Sequence, residues 1–395
     1  MIKNAKYNII SKVIASLLLF LFINITSTPL KAQTDIILGA EQLALYTPLL
    51  QNKNIALVVN HSSIIARTHL VDTLLSLQLA VKRVFAPEHG FRGTADAGAT
   101  VASGKDAKTG LPIISLYGKN KKPSKEQLKG IDIVVFDIQD VGTRFYTYIS
   151  TMHYVMEACA ENEIPLIVLD RPNPNGQYID GPILEMENQS FVGMHPIPIL
   201  HGLTVGELAQ MINKEQWLST EMECDLTIIP MKKYTHDTFY SLPVKPSPNL
   251  PTDLSIKLYP SLCLFEGTVI SVGRGTYFPF QQIGHPQLNV NYSYSFFPIS
   301  MQGSQHPPFE NQACYGIKFD NDSVKGGLQL TYLMEMYHQM PDSAIFFNNF
   351  FTKLVGTTSL EQQIKADFTA DEIKLSWQEN LATYRIMRER YLMYP

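Results

Sequence analysis

Val81-Lys82-Arg83-Val84-Phe85-Ala86-Pro87-Glu88-His89-Gly90 runs from a short apolar strand pattern straight into a polar loop. Continuing through Phe91-Arg92-Gly93, that loop packs an acid, an imidazole and a guanidinium into five residues. Its two glycines let the backbone turn sharply or approach a ligand closely. Loops at strand ends are where α/β folds place their chemistry. Three more such loops follow: Asp137-Ile138-Gln139-Asp140, Asp170-Arg171-Pro172-Asn173, and Phe265-Glu266-Gly267 leading to Gly273-Arg274-Gly275-Thr276.

Working outward, strands and helices alternate. Buried strands are expected at 54–60, 81–85, 131–136 and 166–169, with a shorter one at 113–116. Helical apolar spacing occupies 70–79 and 146–161, and Ser124 caps a short helix reaching Leu128. Largely apolar strands separated by amphipathic helices predict a parallel sheet covered on both faces. The expected fold class is therefore α/β: a Rossmann-like, doubly wound parallel sheet over 33–200, then a smaller α+β domain over 201–395 with a helical tail. In the second region Thr204 caps a helix over 205–213, 226–231 is a strand, and helices are expected at 328–339, 343–354 and 371–391. No G-x-G-x-x-G opens a helix, so no dinucleotide, and no other cofactor, is predicted.

Residues 1–32 read as a secretory signal peptide, with Lys3, Lys6 and Lys12 ahead of an apolar run too short for a comfortable membrane span. The expectation is an exported protein, periplasmic or secreted, with no stable membrane insertion after cleavage. Its net charge of −4 becomes −8 without those residues, which gives no bulk attraction to nucleic acid or anionic membranes. Cys159, Cys224, Cys263 and Cys314 are widely spaced and read as free buried thiols.

On a doubly wound sheet, four loops meet along one edge. They bring together Asn60-His61-Ser62, Glu88-His89, Asp137, Gln139 and Asp140 with Arg144, and Asp170-Arg171 with Asn173. Carboxylates and arginines at such a rim form structural ion pairs, coordinate a metal, or run acid/base chemistry. Ion pairing is a strong alternative for Asp170-Arg171 and for Asp140 with Arg144. Glu88, His89, Asp137 and His201 offer metal-ligand types, but no H-E-x-x-H or close helical His pair arranges them, and no metal is predicted. G-x-S-x-G is absent, which argues against a serine hydrolase. Glycoside hydrolysis needs an acid for the leaving oxygen and a second carboxylate across the ring. Glu88, among Phe85, Pro87 and Phe91, is the best acid, because apolar neighbours favour a neutral carboxyl. Asp137 and Glu266 are possible second carboxylates, and Tyr117, Tyr146, Tyr148 and Tyr277 offer surfaces that suit a sugar ring.

These motifs resemble one family, the exo-acting β-N-acetylmuramidases of glycoside hydrolase family 171, long catalogued as a domain of unknown function. The resemblance rests on Thr68-His69-Leu70-Val71-Asp72, Ala86 to Gly93, Thr109-Gly110-Leu111-Pro112, and Phe136 to Gly142 with Arg144 to Tyr148. It continues in Leu169 to Pro174, Pro246-Ser247-Pro248-Asn249, Leu264 to Thr268, Gly273 to Thr276 and Arg388 to Tyr394. Asn175-Gly176 and Gly284-His285-Pro286 depart from the family pattern. The resemblance implies a cleft between a Rossmann-like and a smaller domain, and release of N-acetylmuramic acid from non-reducing ends of peptidoglycan fragments. It makes Glu88 the candidate acid, with His89 beside it and Asp137 completing the machinery. Arg92, Arg144, Arg171 and Arg274 become candidates for gripping the lactyl carboxylate. Gln139, Asp140, Tyr146, Asp170, Asn173, Asn249 and Glu266 complete the expected substrate-binding set. The rival expectations are a non-catalytic muropeptide binder and a metal-dependent amide or ester hydrolase of the cell wall.

Overall fold

Every residue of Ile55–Val59 (β1) is buried, because alternate side chains enter different cores. Ala56 and Val58 pack on one face, and Ile55, Leu57 and Val59 on the other. In the computed structural model, which describes residues 36–91, 103–289, 291–320 and 324–395, β1 is the centre of a seven-stranded sheet. Its other strands are Val81–Ala86 (β2), Gly104–Lys105 (β3), Pro112–Ser115 (β4), Ile133–Asp137 (β5), Leu166–Leu169 (β6) and Leu226–Ile229 (β7). The order is β3-β4-β2-β1-β5-β6-β7, parallel except for the β3–β4 pair. The expected targeting segment and Arg92 lie outside the described residues.

Five helices accompany this sheet: Leu43–Leu50 (α1), Leu70–Ser76 (α2), Lys125–Leu128 (α3), Tyr148–Glu161 (α4) and Val205–Lys214 (α5). Ser124 and Thr204 each form the expected capping box. After β1 the chain winds towards β2 and β4; after β5 it winds the opposite way, towards β6 and β7. The carboxyl ends of β1 and β5 therefore flank the topological switch point, where such sheets open a crevice. Ser63 Oγ donates to the Asp137 carbonyl, and the Gln139 amide donates to Ser62 Oγ at 3.0 Å, tying the two loops across it.

The sheet does not stop at the expected boundary of residue 200. Helix α5 and strand β7 belong to it, since β7 pairs in parallel with β6. The smaller layer begins with Asp253–Leu262 (α6) and holds an antiparallel sheet of Gln282–His285 (β8), Ser295–Phe296 (β9) and Cys314–Lys318 (β10) in the order β8-β10-β9. Its helices are Thr331–Gln339 (α7), Phe351–Val355 (α8), Ser359–Lys365 (α9), Ala370–Ser376 (α10) and Gln378–Glu389 (α11). The helix expected over 371–391 breaks at Trp377, whose buried ring donates Nε1 to Asp180 at 3.2 Å. One core runs from Phe136 and Tyr146 through Tyr259 and Phe265 to Leu354, so both layers share it. All four cysteines are buried and free. Among the described residues no helix is long and apolar enough to cross a membrane.

Candidate active site

A cavity of about 590 Å³ opens between the carboxyl edge of the large sheet and the smaller layer. That volume falls within the roughly 300–1,000 Å³ of small-molecule clefts. Glu88 and His89 enter it from the end of β2, where the Gly90 amide closes a turn on the Pro87 carbonyl at 3.0 Å. His89 and Gly90 take φ values of +66° and +75°. The glycine does so freely, whereas the histidine stores strain of the kind found at functional sites. Thr147 Oγ1 donates to Glu88 Oε2 at 2.7 Å, and the Tyr117 hydroxyl is a further hydrogen-bond partner of this carboxyl. Burial and then the Glu88 charge push the Tyr117 phenol up, so it is a neutral hydroxyl at physiological pH.

Tyrosines build one wall. Tyr146 and Tyr148 meet edge to face at 4.9 Å and both donate to the Pro246 carbonyl, at 2.9 and 3.4 Å. Tyr259 of α6 crosses Tyr146 at 5.8 Å and Phe280 at 5.1 Å. Burial raises all three tyrosines, so they too stay neutral. In the turn after α6, Glu266 Oε1 accepts from Arg274 Nε at 2.6 Å, while the Cys263 thiol lies 3.6 Å from Oε2. Burial opposes the Arg274 charge, but Glu266 overrides it and holds the guanidinium above its ordinary pKa. The buried Arg274 Nη1 has no partner among the described residues. Asn249 also lines the cavity and donates Nδ2 to the Gly303 carbonyl at 2.8 Å, which fixes the loop carrying His306 to the rim.

Eight of the sequence-predicted residues thus share the cavity: Glu88, His89, Tyr117, Tyr146, Tyr148, Asn249, Glu266 and Arg274. Eight others among the described residues do not line it. Asp137 is fully buried in a bidentate ion pair, with Arg171 Nε and Nη2 at 2.5 and 2.9 Å, which removes both from the rim. Gln139 Nε2 donates to the Asp140 and Pro172 carbonyls at 2.8 and 2.6 Å. Asp140 accepts the Gly142 amide at 2.6 Å, and burial pushes its carboxyl up to about 7. Asn173 donates to the Leu203 carbonyl at 2.9 Å and accepts the Asn175 amide at 2.8 Å. It sits so close to Gly142, at φ +79°, that a Cβ there would fall 2.0 Å from Asn173 Oδ1. Asp170 accepts from Thr204 Oγ1 (2.7 Å), the Gly206 amide (2.8 Å) and the Tyr394 hydroxyl (2.6 Å). Burial pushes it, too, up to about 7.

Among the described residues Arg144 has no carboxylate partner: Nη1 donates to the Pro182 and Ile197 carbonyls at 2.8 and 2.7 Å, and Nη2 to Leu354 and Val355 at 3.1 and 2.6 Å. It clamps the two layers from inside rather than gripping substrate. Tyr277 is 81 % exposed and outside the cavity. Thr147, Tyr259, Cys263 and the loop around Gly303 were not singled out by sequence. Thr147 stands inside the Arg144-Phe145-Tyr146-Thr147-Tyr148 motif, which was its signal; the others had none beyond composition. Among the described residues no three His, Cys, Asp or Glu side chains cluster as a metal site.

A carboxyl at a strand end, an arginine-paired carboxylate and a tyrosine wall, all lining one cavity, are groups that suit a glycosidase on a doubly wound sheet. Residues 55–254 match the family described as exo-beta-N-acetylmuramidase NamZ, N-terminal, and residues 257–394 match its C-terminal counterpart. The chain belongs to the exo-β-N-acetylmuramidase NamZ family. It is 41 % identical over 375 residues to the peptidoglycan beta-N-acetylmuramidase NamZ of Bacillus subtilis (strain 168), covering 88 % of this chain and 89 % of that one. Crystal structures of two DUF1343 family proteins from Bacteroides fragilis NCTC 9343 superpose with TM-scores of 0.85 and 0.78, at 47 % and 30 % identity. Each covers 91 % of this chain and 99 % of its own.

Proposed function

We propose that this protein is an exported exo-β-N-acetylmuramidase that removes N-acetylmuramic acid from non-reducing ends of peptidoglycan fragments. The observation that carries the reading is the meeting of Glu88 with the Glu266–Arg274 pair in one tyrosine-walled cavity, in a chain of this family. Glu88 protonates the leaving glycosidic oxygen, a task worth roughly 10²–10⁴-fold in rate for a positioned side chain. The Glu266 carboxylate faces the positive charge that develops at the anomeric carbon, replacing Asp137 as second carboxylate. Arg274, with Nε on Glu266 and Nη1 lacking a protein partner, receives the lactyl carboxylate that separates muramic acid from glucosamine. His89, strained beside Glu88, orders the same rim. Export rests on the basic and apolar character of residues 1–32, and it brings the enzyme to its polymer.

The test is release of a chromogenic aglycone from a β-N-acetylmuramide, with the matching β-N-acetylglucosaminide alongside, with and without EDTA. Turnover of the muramide alone, unaffected by chelation, is expected, as is loss of roughly 100-fold or more in Glu88→Gln at an unchanged melting temperature. Binding of muramic acid without turnover of either substrate would make the protein a muropeptide binder. Loss of activity in EDTA would make it a metal-dependent hydrolase.

A further inference from the structure

Thr147 occupies the N-cap of α4, a helix of 14 residues, yet its side chain caps nothing. A threonine there ordinarily gives its oxygen to the N2 or N3 amide, and that bond is worth about 1 kcal/mol. Thr204 and Thr369 do so on α5 and α10. Thr147 instead has helical dihedrals, φ −70° and ψ −6°, and turns its hydroxyl 2.7 Å onto Glu88 Oε2, 59 residues earlier in the chain. The bond joins the end of β2 to the loop after β5. A local rule broken where substrate chemistry is expected marks a residue kept for function rather than stability.

We infer that Thr147 is the positioning residue of Glu88, fixing the plane of its carboxyl group in the cavity. The inference rests on the reading of Glu88 given above and adds a second residue to that site. A glutamate has three side-chain torsions, and proton delivery demands one orientation. Misplacement by about 1 Å costs on the order of 100-fold. The hydroxyl sits at the first turn of α4, where the helix dipole also favours a carboxylate. Tyr117 contributes a second hydroxyl to the same group. The Thr147 hydroxyl does the positioning.

The test is kinetic, on the full chain, with Thr147→Val, Thr147→Ser, Glu88→Gln and the Thr147→Val/Glu88→Gln double variant. Thr147→Val is expected to lower kcat on the chromogenic muramide by about 10- to 100-fold with KM within about twofold. Thr147→Ser, which keeps the hydroxyl, holds kcat within about threefold. In the Glu88→Gln background Thr147→Val adds no further loss. Wild-type kcat in Thr147→Val, or equal losses in the Val and Ser variants, overturns the inference while leaving Glu88 in place. Activity surviving in Glu88→Gln overturns the Glu88 reading itself. Should the Val variant not fold, Thr147→Ala against Thr147→Ser makes the same comparison.

Discussion

Replacing Arg144 by methionine separates a framework arginine from a substrate-gripping one. Methionine keeps the length and apolar stem of the side chain but donates nothing. Four buried carbonyls lose a charge-assisted bond, and of these Ile197 keeps a second donor, the Leu184 amide at 3.2 Å. At about 1.5–3 kcal/mol for each bond to a charged group, the gross loss is roughly 6–12 kcal/mol. The buried charge, which has no carboxylate partner and whose pKa burial depresses, returns several kcal/mol of desolvation when removed. The net destabilisation expected is about 4 kcal/mol. With an unfolding entropy of about 2.1 cal/mol/K per residue over about 360 residues, that lowers Tm by roughly 5 °C. Thermal melts at pH 7 with muramide kinetics at 25 °C on the folded enzyme form the assay. An unchanged Tm with KM raised about tenfold would refute the reasoning and return Arg144 to the substrate. Arg144→Lys, with three donors and no planar fork, should fall between methionine and wild type.

Two other outcomes follow from the same geometry. Asp170 and Asp140 titrate at about 7 when folded, against 3.8 when unfolded, so between about pH 4 and 7 only the folded chain keeps these protons. Stability therefore falls as pH rises through that window, by up to ~1.4 kcal/mol per unit for each group. Asp170→Asn and Asp140→Asn should each flatten the slope in urea titrations from pH 4 to 8, and Asp170→Asn should lower stability more than it alters specificity. Unaltered slopes in both variants would exclude these carboxyls as its source. Arg274→Lys should raise KM for the muramide by about 10-fold or more while changing the glucosaminide far less; an equal change for both substrates would make Arg274 purely structural.

Strands at 55–59, 81–86, 133–137 and 166–169 were legible because a doubly covered parallel sheet needs apolar residues on both faces, and continuous runs such as Ile55-Ala56-Leu57-Val58-Val59 leave few alternatives. Strands β8 to β10 were not: Gln282-Ile283-Gly284-His285 shows neither alternation nor an apolar run, and tertiary contact decides it. At the site, sequence identifies which residue types end the strands but not which way they face. Asp137 and Glu88 both sit at strand ends, yet Arg171 takes the first inward and Thr147 holds the second in the cavity. Arg144 misled for a related reason. A lone arginine in a polar motif reads as a ligand for carboxylates, and only the fold shows that it serves backbone carbonyls contributed from 38 to 211 residues further along the chain.

The hydrogen bond from Tyr394 to Asp170 spans 224 residues, and the Met393 amide reaches back 186 residues to Glu207. At roughly 5–20 residues per second, a ribosome delivers Tyr394 about 10–45 s after Asp170. For that interval the corner at the end of β6 lacks its last seal. Such non-local closure makes folding slow, and it leaves sheet edges and apolar surface accessible to chaperones while the polypeptide is still being made. The β6 corner is thus sealed only by residues made long after it.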